Sequence, residues 1–173
     1  ERDEPTRVVT VVDVPELDSW FTRRDTYTHH SIQDEIIKFY GDAILRHLID
    51  LVHRSHSFAI IMDGTQDINR VEQESICLRF VDDDLQPQEV FVGFYSVDGT
   101  TGKKLAKCVK DCFLRFQLPM EKLRGQTYDG ASNMSGAYNG CQARICRKQP
   151  LASYVHCSAH CTNLIANAVC SSS

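Results

Sequence analysis

Three segments in the first half of the chain carry apolar residues in patterns that predict β-strands. Residues 58–63 form an unbroken apolar run that ends at Asp63. In segments 74–82 and 89–97 apolar positions recur at every second residue, as they do in strands. The connections between the three segments are short and contain turn residues, which predicts an antiparallel meander. The alternating residues are Ile76, Leu78 and Phe80 in one segment and Val90, Val92 and Phe94 in the other.

Apolar residues at helical spacing precede and follow this meander. The first series predicts helical structure over about 31–52, interrupted at Gly41, that packs on the sheet. The second predicts a helix from about 101 to 117, with one apolar face and a lysine-rich face that suits either solvent or a phosphate backbone. The second series comprises Leu105, Cys108, Val109, Cys112, Phe113 and Phe116.

Strands and helices alternate in the second half of the chain. A predicted strand ends at Asp129, and a helix follows from about Ser132 or Asn133 to Arg147. A last strand spans about 153–157, and it leads into a helix that begins near His160. Three antiparallel strands, a helix and then alternating strands and helices form the order of an RNase H-like mixed sheet, although other mixed α/β folds share it.

The predicted organisation is an α/β chain in two parts. Residues 1–57 form an N-terminal segment with a β-like run at Val8–Val14 and the helical lead-in. Residues 58–173 form a partial RNase H-like core, in which the first and fourth strands are expected to be neighbours.

Composition favours an intracellular globular domain. The 173 residues suffice for one core, and the N-terminus does not form a signal peptide. No apolar stretch approaches the roughly 18 residues of a membrane span. The net charge of −4, from 19 basic and 23 acidic residues, gives little support for nucleic-acid binding. Eight cysteines without a secretory signal favour reduced thiols.

Two aspartates at the ends of predicted strands are the candidate chemistry. Asp63 closes the first strand and Asp129 closes the fourth, and a glycine follows each. Acids at the carboxyl ends of strands lie where α/β sheets bind ligands, and Mg²⁺ favours one or two carboxylates plus phosphate oxygens. Asp67 is a further nearby acid, with turn capping as its favoured role. The alternative for both Asp-Gly pairs, at Asp63 and at Asp129, is a structural turn, since Asp-Gly is also a turn signal.

A third motif follows the two aspartates. Residues 154–165 read Tyr-Val-His-Cys-Ser-Ala-His-Cys-Thr-Asn-Leu-Ile, so that Cys157 and His160 form a Cys-x-x-His pair. Together with the Asp-Gly-Thr block at Asp63 and the Tyr-Asp-Gly-Ala block at Asp129, it resembles the RNase H-like catalytic core of hAT-superfamily transposases. The resemblance is closest to transposon-derived proteins similar to MYM-type zinc-finger protein 1, and it runs from about residue 31 to the end.

This resemblance implies roles for the four residues. Asp63 and Asp129 match the first and second catalytic acids, which would hold Mg²⁺ or Mn²⁺. Cys157 and His160 match a motif associated with core integrity and DNA handling. By the same resemblance the full-length parent would bind DNA in the nucleus, without a membrane, and could form a homo-oligomer.

The chain also departs from the family. The third catalytic acid, a glutamate, follows a long helical insertion in the family, whereas residues 130–173 here contain neither Asp nor Glu. Gly64 stands where many relatives carry an acid. We therefore expect part of a transposase core, weak in metal binding and inactive alone, whose parent would cleave DNA and transfer strands. The alternatives are a catalytically silent module that binds nucleic acid or protein, and an unrelated α/β domain with structural acids.

Zinc is a less favoured cation. Tetrahedral zinc commonly takes two spaced pairs of ligands, and Cys157 with His160 supplies one pair. We expect these two side chains to pack at the strand-to-helix junction, because no second pair is expected to converge with them. The residues considered for that second pair are Cys141, Cys146, His156 and Cys161.

Overall fold

The computed structural model describes residues 29–66, 68 and 70–171, so the Val8–Val14 run and Asp67 lie outside the described residues. The five strands are β1 Phe58–Gln66, β2 Glu72–Val81, β3 Pro87–Ser96, β4 Leu123–Tyr128 and β5 Ser153–His156. The helices are α1 His30–Arg54, α2 Gly102–Arg115, α3 Ser132–Ser135, α4 Cys141–Cys146 and α5 Ser158–Ser171, with a 3₁₀ turn at Met120–Lys122.

Two compact units divide the chain, Glu1–Ile44 and Leu45–Ser173, with the boundary inside α1. All five strands belong to the second unit. The boundary predicted after residue 57 stays a prediction.

The five strands form one mixed sheet in the order β3-β2-β1-β4-β5. β3, β2 and β1 pair antiparallel, while β4 runs parallel to both β1 and β5. The predicted meander and the predicted adjacency of the first and fourth strands are therefore confirmed, and with them the RNase H-like mixed sheet.

The two faces of this sheet differ in burial. On the face that we call closed, Phe58, Ile60 and Met62 of β1 are buried level with Phe80, Leu78 and Ile76 of β2. Helix α2 covers this face, and the rings of Phe58 and Phe113 meet edge to face at 5.5 Å. The opposite, open face carries the half-buried Ile61 and Cys77 and the exposed Phe91 and Phe94.

Helix α2 forms where the sequence predicts it because its local signals agree. The hydroxyl of Thr101 caps the helix by accepting a hydrogen bond from the Lys104 amide at 3.4 Å. Gly102 begins the helix at a close approach, since a Cβ there would lie 2.4 Å from the Asn139 carbonyl oxygen. The buried stripe beyond it matches the predicted apolar face and consists of Leu105, Ala106, Val109, Cys112 and Phe113.

Helix α1 differs from the prediction, because it runs without interruption through Gly41. Nothing lies within 4 Å of a Cβ placed at Gly41, so the glycine is an exposed helical position and not a break. A glycine inside a helix costs only about 0.5–1 kcal/mol relative to alanine, which the surrounding turns can offset. The buried residues of α1 are Ile49 and Val52, whereas Ile37 and Tyr40 are exposed.

The single helix predicted from Ser132 to Arg147 is wrong. Two short helices, α3 and α4, replace it, and the chain turns sharply between Gly136 and Gly140. A Cβ at Gly140 would lie 2.5 Å from both the amide nitrogen and the carbonyl oxygen of Gly136. The close backbone approach therefore depends on the absence of side chains at this turn.

All eight cysteines lie in the described part of the chain, and each is a free thiol. Among the helices described, none has both the length and the apolar character needed to cross a membrane.

Candidate metal site

The pairing of β1 with β4 brings the two predicted acids to one end of the sheet. The parallel register reaches Ile61 opposite Thr127. Two residues further along each strand, it places Asp63 level with Asp129, directly after the last residue of β4. Adjacent strands lie about 4.8 Å apart, and level side chains of parallel strands project to the same face. The fold thus brings these acids to the same end of two adjacent strands, while their role as metal ligands stays a prediction.

Hydrogen bonds fix the loop that carries Asp129. The Tyr154 hydroxyl donates to the Asp129 carbonyl oxygen at 3.0 Å, and an Asp129 carboxylate oxygen accepts from the Ala131 amide at 3.2 Å. Gly130 packs against the ring of His156, because a Cβ there would lie 2.6 Å from the ring. Asp129 is thereby held by β5, although its side chain remains partly accessible.

Asp63 is held through its backbone by β2. It pairs with Ser75 across the antiparallel ladder, and the Ser75 hydroxyl donates to the Asp63 carbonyl oxygen at 3.0 Å. The Asp63 side chain is exposed, so its carboxylate is accessible to a ligand from solvent.

A third carboxyl group, that of Glu74, lies at the same sheet end on the closed face. Glu74 pairs with Gly64, its side chain is 2% exposed, and its Oε2 has no hydrogen-bond partner. A Cβ at Gly64 would lie 3.2 Å from Glu74 Oε1. Burial raises the pKa of Glu74 from 4.5 to about 7, and the charges of Asp129, Asp63 and Glu72 add to that rise.

Two thiols whose pKa the charge of Glu74 influences are protonated at neutral pH. Burial is the main cause that raises the pKa of Cys108 and of Cys141 to about 12, and the negative charge of Glu74 contributes to both. Since the thiolate is the reactive and metal-binding form of cysteine, these buried thiols are poor nucleophiles and poor ligands. The chemistry at this sheet end is therefore that of carboxylates.

Cys157 and His160 lie at the junction of β5 and α5. The Cys157 amide donates to the Tyr128 carbonyl oxygen at 2.9 Å, and this bond joins the ends of β5 and β4. The His160 ring lies 5.9 Å from the His156 ring between centroids, and Cys161 Sγ lies 3.5 Å from His156 Nδ1. The Cys157 backbone thus connects this junction to the strand that precedes Asp129.

The donor set suits a hard divalent cation. Across residues 29–66, 68 and 70–171, no three His, Cys, Asp or Glu side chains are grouped so that they could hold one metal ion. Mg²⁺ needs fewer protein ligands, since it commonly uses one or two carboxylates and retains several waters. Asp63 and Asp129 fit that requirement.

Sequence reasoning missed Glu74, although a signal for it was present. Glu74 precedes Ile76, Leu78 and Phe80 at the same two-residue spacing, so it lies on the apolar face of β2. A glutamate on the buried face of a strand is uncommon unless it has a charged or polar partner.

Known proteins match most of this chain. The family described as the ZMYM1/FAM200, RNase-like domain (DUF4371) matches residues 17–140. A Mus musculus protein named "52 kDa repressor of the inhibitor of the protein kinase" is 34% identical over 112 residues, which is 65% of this chain and 15% of the relative. A Homo sapiens protein of the same name is 29% identical over 132 residues, which is 76% of this chain and 17% of the relative. The chain spans about one sixth of the length of these curated relatives.

Proposed function

Because the chain belongs to the ZMYM1/FAM200 RNase-like domain family, we propose that Asp63 and Asp129 hold a Mg²⁺ or Mn²⁺ ion in its transposase-derived core. The family match and the mixed sheet confirm the transposase-derived, RNase H-like identity indicated by the motifs. In the whole protein, the proposed chemistry is hAT-type DNA cleavage and strand transfer in the nucleus. The chain by itself binds the cation without cleaving DNA.

The observation that carries this proposal is the parallel pairing of β1 with β4, whose register, continued two residues beyond Ile61 and Thr127, would bring Asp63 level with Asp129. Two adjacent carboxylates repel each other, and a divalent cation relieves this repulsion by binding both. Such a cation would supply Lewis-acid polarisation of a phosphodiester oxygen.

The chain's own contribution is to hold the two acids in place before a ligand arrives. The hydroxyls of Ser75 and Tyr154 donate to the backbone carbonyls of Asp63 and Asp129 and not to their carboxylates, although one Asp129 carboxylate oxygen accepts from the Ala131 amide. Ligands supported by neighbouring hydrogen bonds lose less freedom on binding, which favours affinity.

Cleavage by the isolated chain is not expected, because it offers too few carboxylates on the second half of the fold. Residues 130–173 contain no Asp or Glu. Phosphoryl transfer by two metal ions needs enough ligands to fix both ions and to orient the attacking oxygen.

A second candidate is a catalytically silent module that binds nucleic acid or protein. The exposed rings of Phe91 and Phe94, 49% and 61% accessible and 5.1 Å apart, favour it. Exposed aromatic rings stack with unpaired bases and also anchor protein interfaces. Both functions are compatible with the transposase-derived core.

Calorimetric titration of Mn²⁺ tests the proposed site. We expect Asp63→Asn and Asp129→Asn each to weaken binding by more than about tenfold, since even the loss of an outer-shell partner commonly costs that much. Asp83→Asn, an exposed turn residue, is the matched control and should bind as the wild type does. Equal affinity in all four proteins, or no binding by the wild type, would contradict the proposal.

Incubation of the 173-residue chain with DNA and Mn²⁺ tests the expected lack of cleavage. We expect intact DNA and at most weak binding that decreases as salt increases. Cleavage that disappears in Asp129→Ala would show that this chain is a nuclease by itself.

A further inference from the structure

We propose that the outer edge of β3 and the cleft beside it bind an extended peptide whose residues alternate between acidic and apolar. This peptide site does not depend on the cation site at Asp63 and Asp129. It rests on the second candidate function, a module that binds protein, and gives that module a partner of defined chemistry.

The outer side of β3 offers free backbone groups. β3 is the edge strand of the sheet, and none of the described strands pairs with its outer side. The Val97 amide donates to the Glu72 carbonyl oxygen at 3.0 Å, and hydrogen-bonded and non-hydrogen-bonded pairs alternate along an antiparallel ladder. Counted back from this pair, Phe94 and Ser96 direct their amides and carbonyls away from β2. An extended peptide can add to such an edge as a further strand.

A cleft of about 780 Å³ lies along this edge, between β3 and α2. Its volume falls in the range of ligand-binding clefts. Leu45, Val92 and Phe116 contribute apolar surface to it, and Phe94 and Ser96 line it as well. The free backbone groups and the cleft therefore form one surface, and a strand added here would direct every second side chain into the cleft.

The charges of the cleft favour acidic side chains. Three cations and two carboxylates line it, a net charge of +1 (3 − 2), whereas the whole chain carries −4. Arg115 pairs with Asp111 at 2.7 Å, and the Lys104 ammonium donates to the Asp98 carbonyl oxygen at 2.7 Å. Lys107 is exposed and has no ion-pair partner among the described residues, so it is available to a carboxylate.

The open face of the same edge favours apolar side chains at the alternate positions. Phe91 and Phe94 are 49% and 61% exposed there, with ring centroids 5.1 Å apart. Side chains of an added strand that do not enter the cleft would cover these two rings, because successive side chains point to opposite faces.

A second copy of this chain fits the edge less well. The pairing of β3 with β2 shifts register between Ile76 and Cys77, and such an irregularity interrupts pairing along an edge. Only the short stretch at residues 93–96 then remains regular, which suits a short peptide. Two copies joined at this edge would also bring their lysine-lined clefts together, and like charges repel.

Fluorescence anisotropy with labelled peptides tests the charge preference. The probe is a fluorescein-labelled nonapeptide that alternates glutamate with valine, and the comparison peptide alternates lysine with valine. We expect saturable binding of the glutamate peptide that weakens as salt increases, and binding of the lysine peptide at least about tenfold weaker. Lys107→Glu should weaken binding of the glutamate peptide about tenfold. Lys110→Glu is the matched control, because Lys110 is an exposed residue of α2 outside the cleft, and it should bind as the wild type does.

Ser96→Pro tests the addition of a strand. It removes the outward amide and retains the pairing with β2, since proline is tolerated at edge positions whose amide faces solvent. We expect binding of the glutamate peptide to weaken about tenfold, whereas Ser96→Ala keeps the amide and should bind as the wild type does. If circular dichroism shows that Ser96→Pro does not fold, hydrogen exchange of the wild type decides. The Phe94 and Ser96 amides should exchange more slowly when the glutamate peptide is bound.

Three results would overturn the peptide site: no binding of the glutamate peptide, equal binding of both peptides, or unchanged exchange of the Phe94 and Ser96 amides. None of them touches the cation site, because neither Asp63 nor Asp129 lines the cleft. Binding of single-stranded oligothymidine that Lys107→Glu abolishes, without peptide binding, would assign the edge to nucleic acid instead. Self-association in sedimentation that Ser96→Pro abolishes would assign it to a second copy and likewise overturn the peptide site.

Discussion

Asp63 and Glu74 are acids at the same end of the sheet on adjacent strands, and the fold gives them opposite environments. Asp63 is exposed on the open face, where a solvent-borne cation can reach it. Glu74 is 2% exposed on the closed face, where burial and nearby acids raise its pKa to about 7. One carboxyl is therefore accessible to solvent, and the other is an acid whose ionisation is coupled to folding.

The pleat of the sheet causes this difference. Gly64 lies opposite Glu74 and Asp63 lies opposite Ser75, so a shift of one residue separates the two faces. Successive side chains of a strand point to opposite sides, and a covered face removes water from whatever lies on it. Adjacent strands can therefore present one acid to solvent and bury another at the same end of the sheet.

The largest expected effect that tests the contrast between Asp63 and Glu74 is the pH dependence of the free energy of unfolding. The folded-state pKa of Glu74 lies above its unfolded value of 4.5, so folding favours its protonated form. The free energy of unfolding should fall by about 3 kcal/mol as pH rises from 4.5 through 7 and then level off. Urea unfolding across this range measures it.

Comparison with Glu74→Gln isolates this effect from other titrating groups. The variant should lack the loss of stability between pH 4.5 and 7, whereas Asp63→Asn should retain it. If Asp63→Asn removed the pH dependence of the unfolding free energy and Glu74→Gln left it unchanged, the contrast between the two acids would be wrong.

A substitution next to Asp129 tests how the loop that carries this accessible acid is held in place. In Gly130→Ala the added methyl would lie 2.6 Å from the His156 ring, so either that exposed ring or the loop of Asp129 must shift. We expect a loss of about 1–3 kcal/mol in unfolding free energy, as for overpacking. Mn²⁺ affinity should fall as well, which calorimetry can measure.

Gly41→Ala is the control for this substitution, because a Cβ there meets nothing within 4 Å. It should instead stabilise α1 by about 0.5–1 kcal/mol. Thermal unfolding of both variants provides the comparison, and an equal loss of stability in both would contradict a steric role at Gly130.

The smallest expected effect concerns the hydrogen bond between Tyr154 and the Asp129 carbonyl. Tyr154→Phe removes the donor and should cost about 1 kcal/mol of stability. Tyr138→Phe, at an 81% exposed position, is the matched control and should leave stability unchanged. Indistinguishable stabilities in chemical denaturation would show that this bond does not stabilise the Asp129 loop.

The local pattern predicted most of the secondary structure. An unbroken apolar run identified β1, strand alternation identified β2 and β3, and apolar residues at helical spacing identified α2. The pattern failed at α3 and α4, because apolar spacing continued through a turn that the close packing of Gly136 and Gly140 enforces.

The sequence by itself determined the strands, helix α2 and the position of Asp63 and Asp129 at strand ends. These features follow from the spacing of nearby residues. Only the tertiary structure decided which strands became neighbours and which faces helix α2 covered. Those choices depend on contacts between distant segments, which alternation along one strand does not specify. They brought Asp63 and Asp129 to the same sheet end across 65 intervening residues and buried Glu74 on the same helix-covered face as the apolar core.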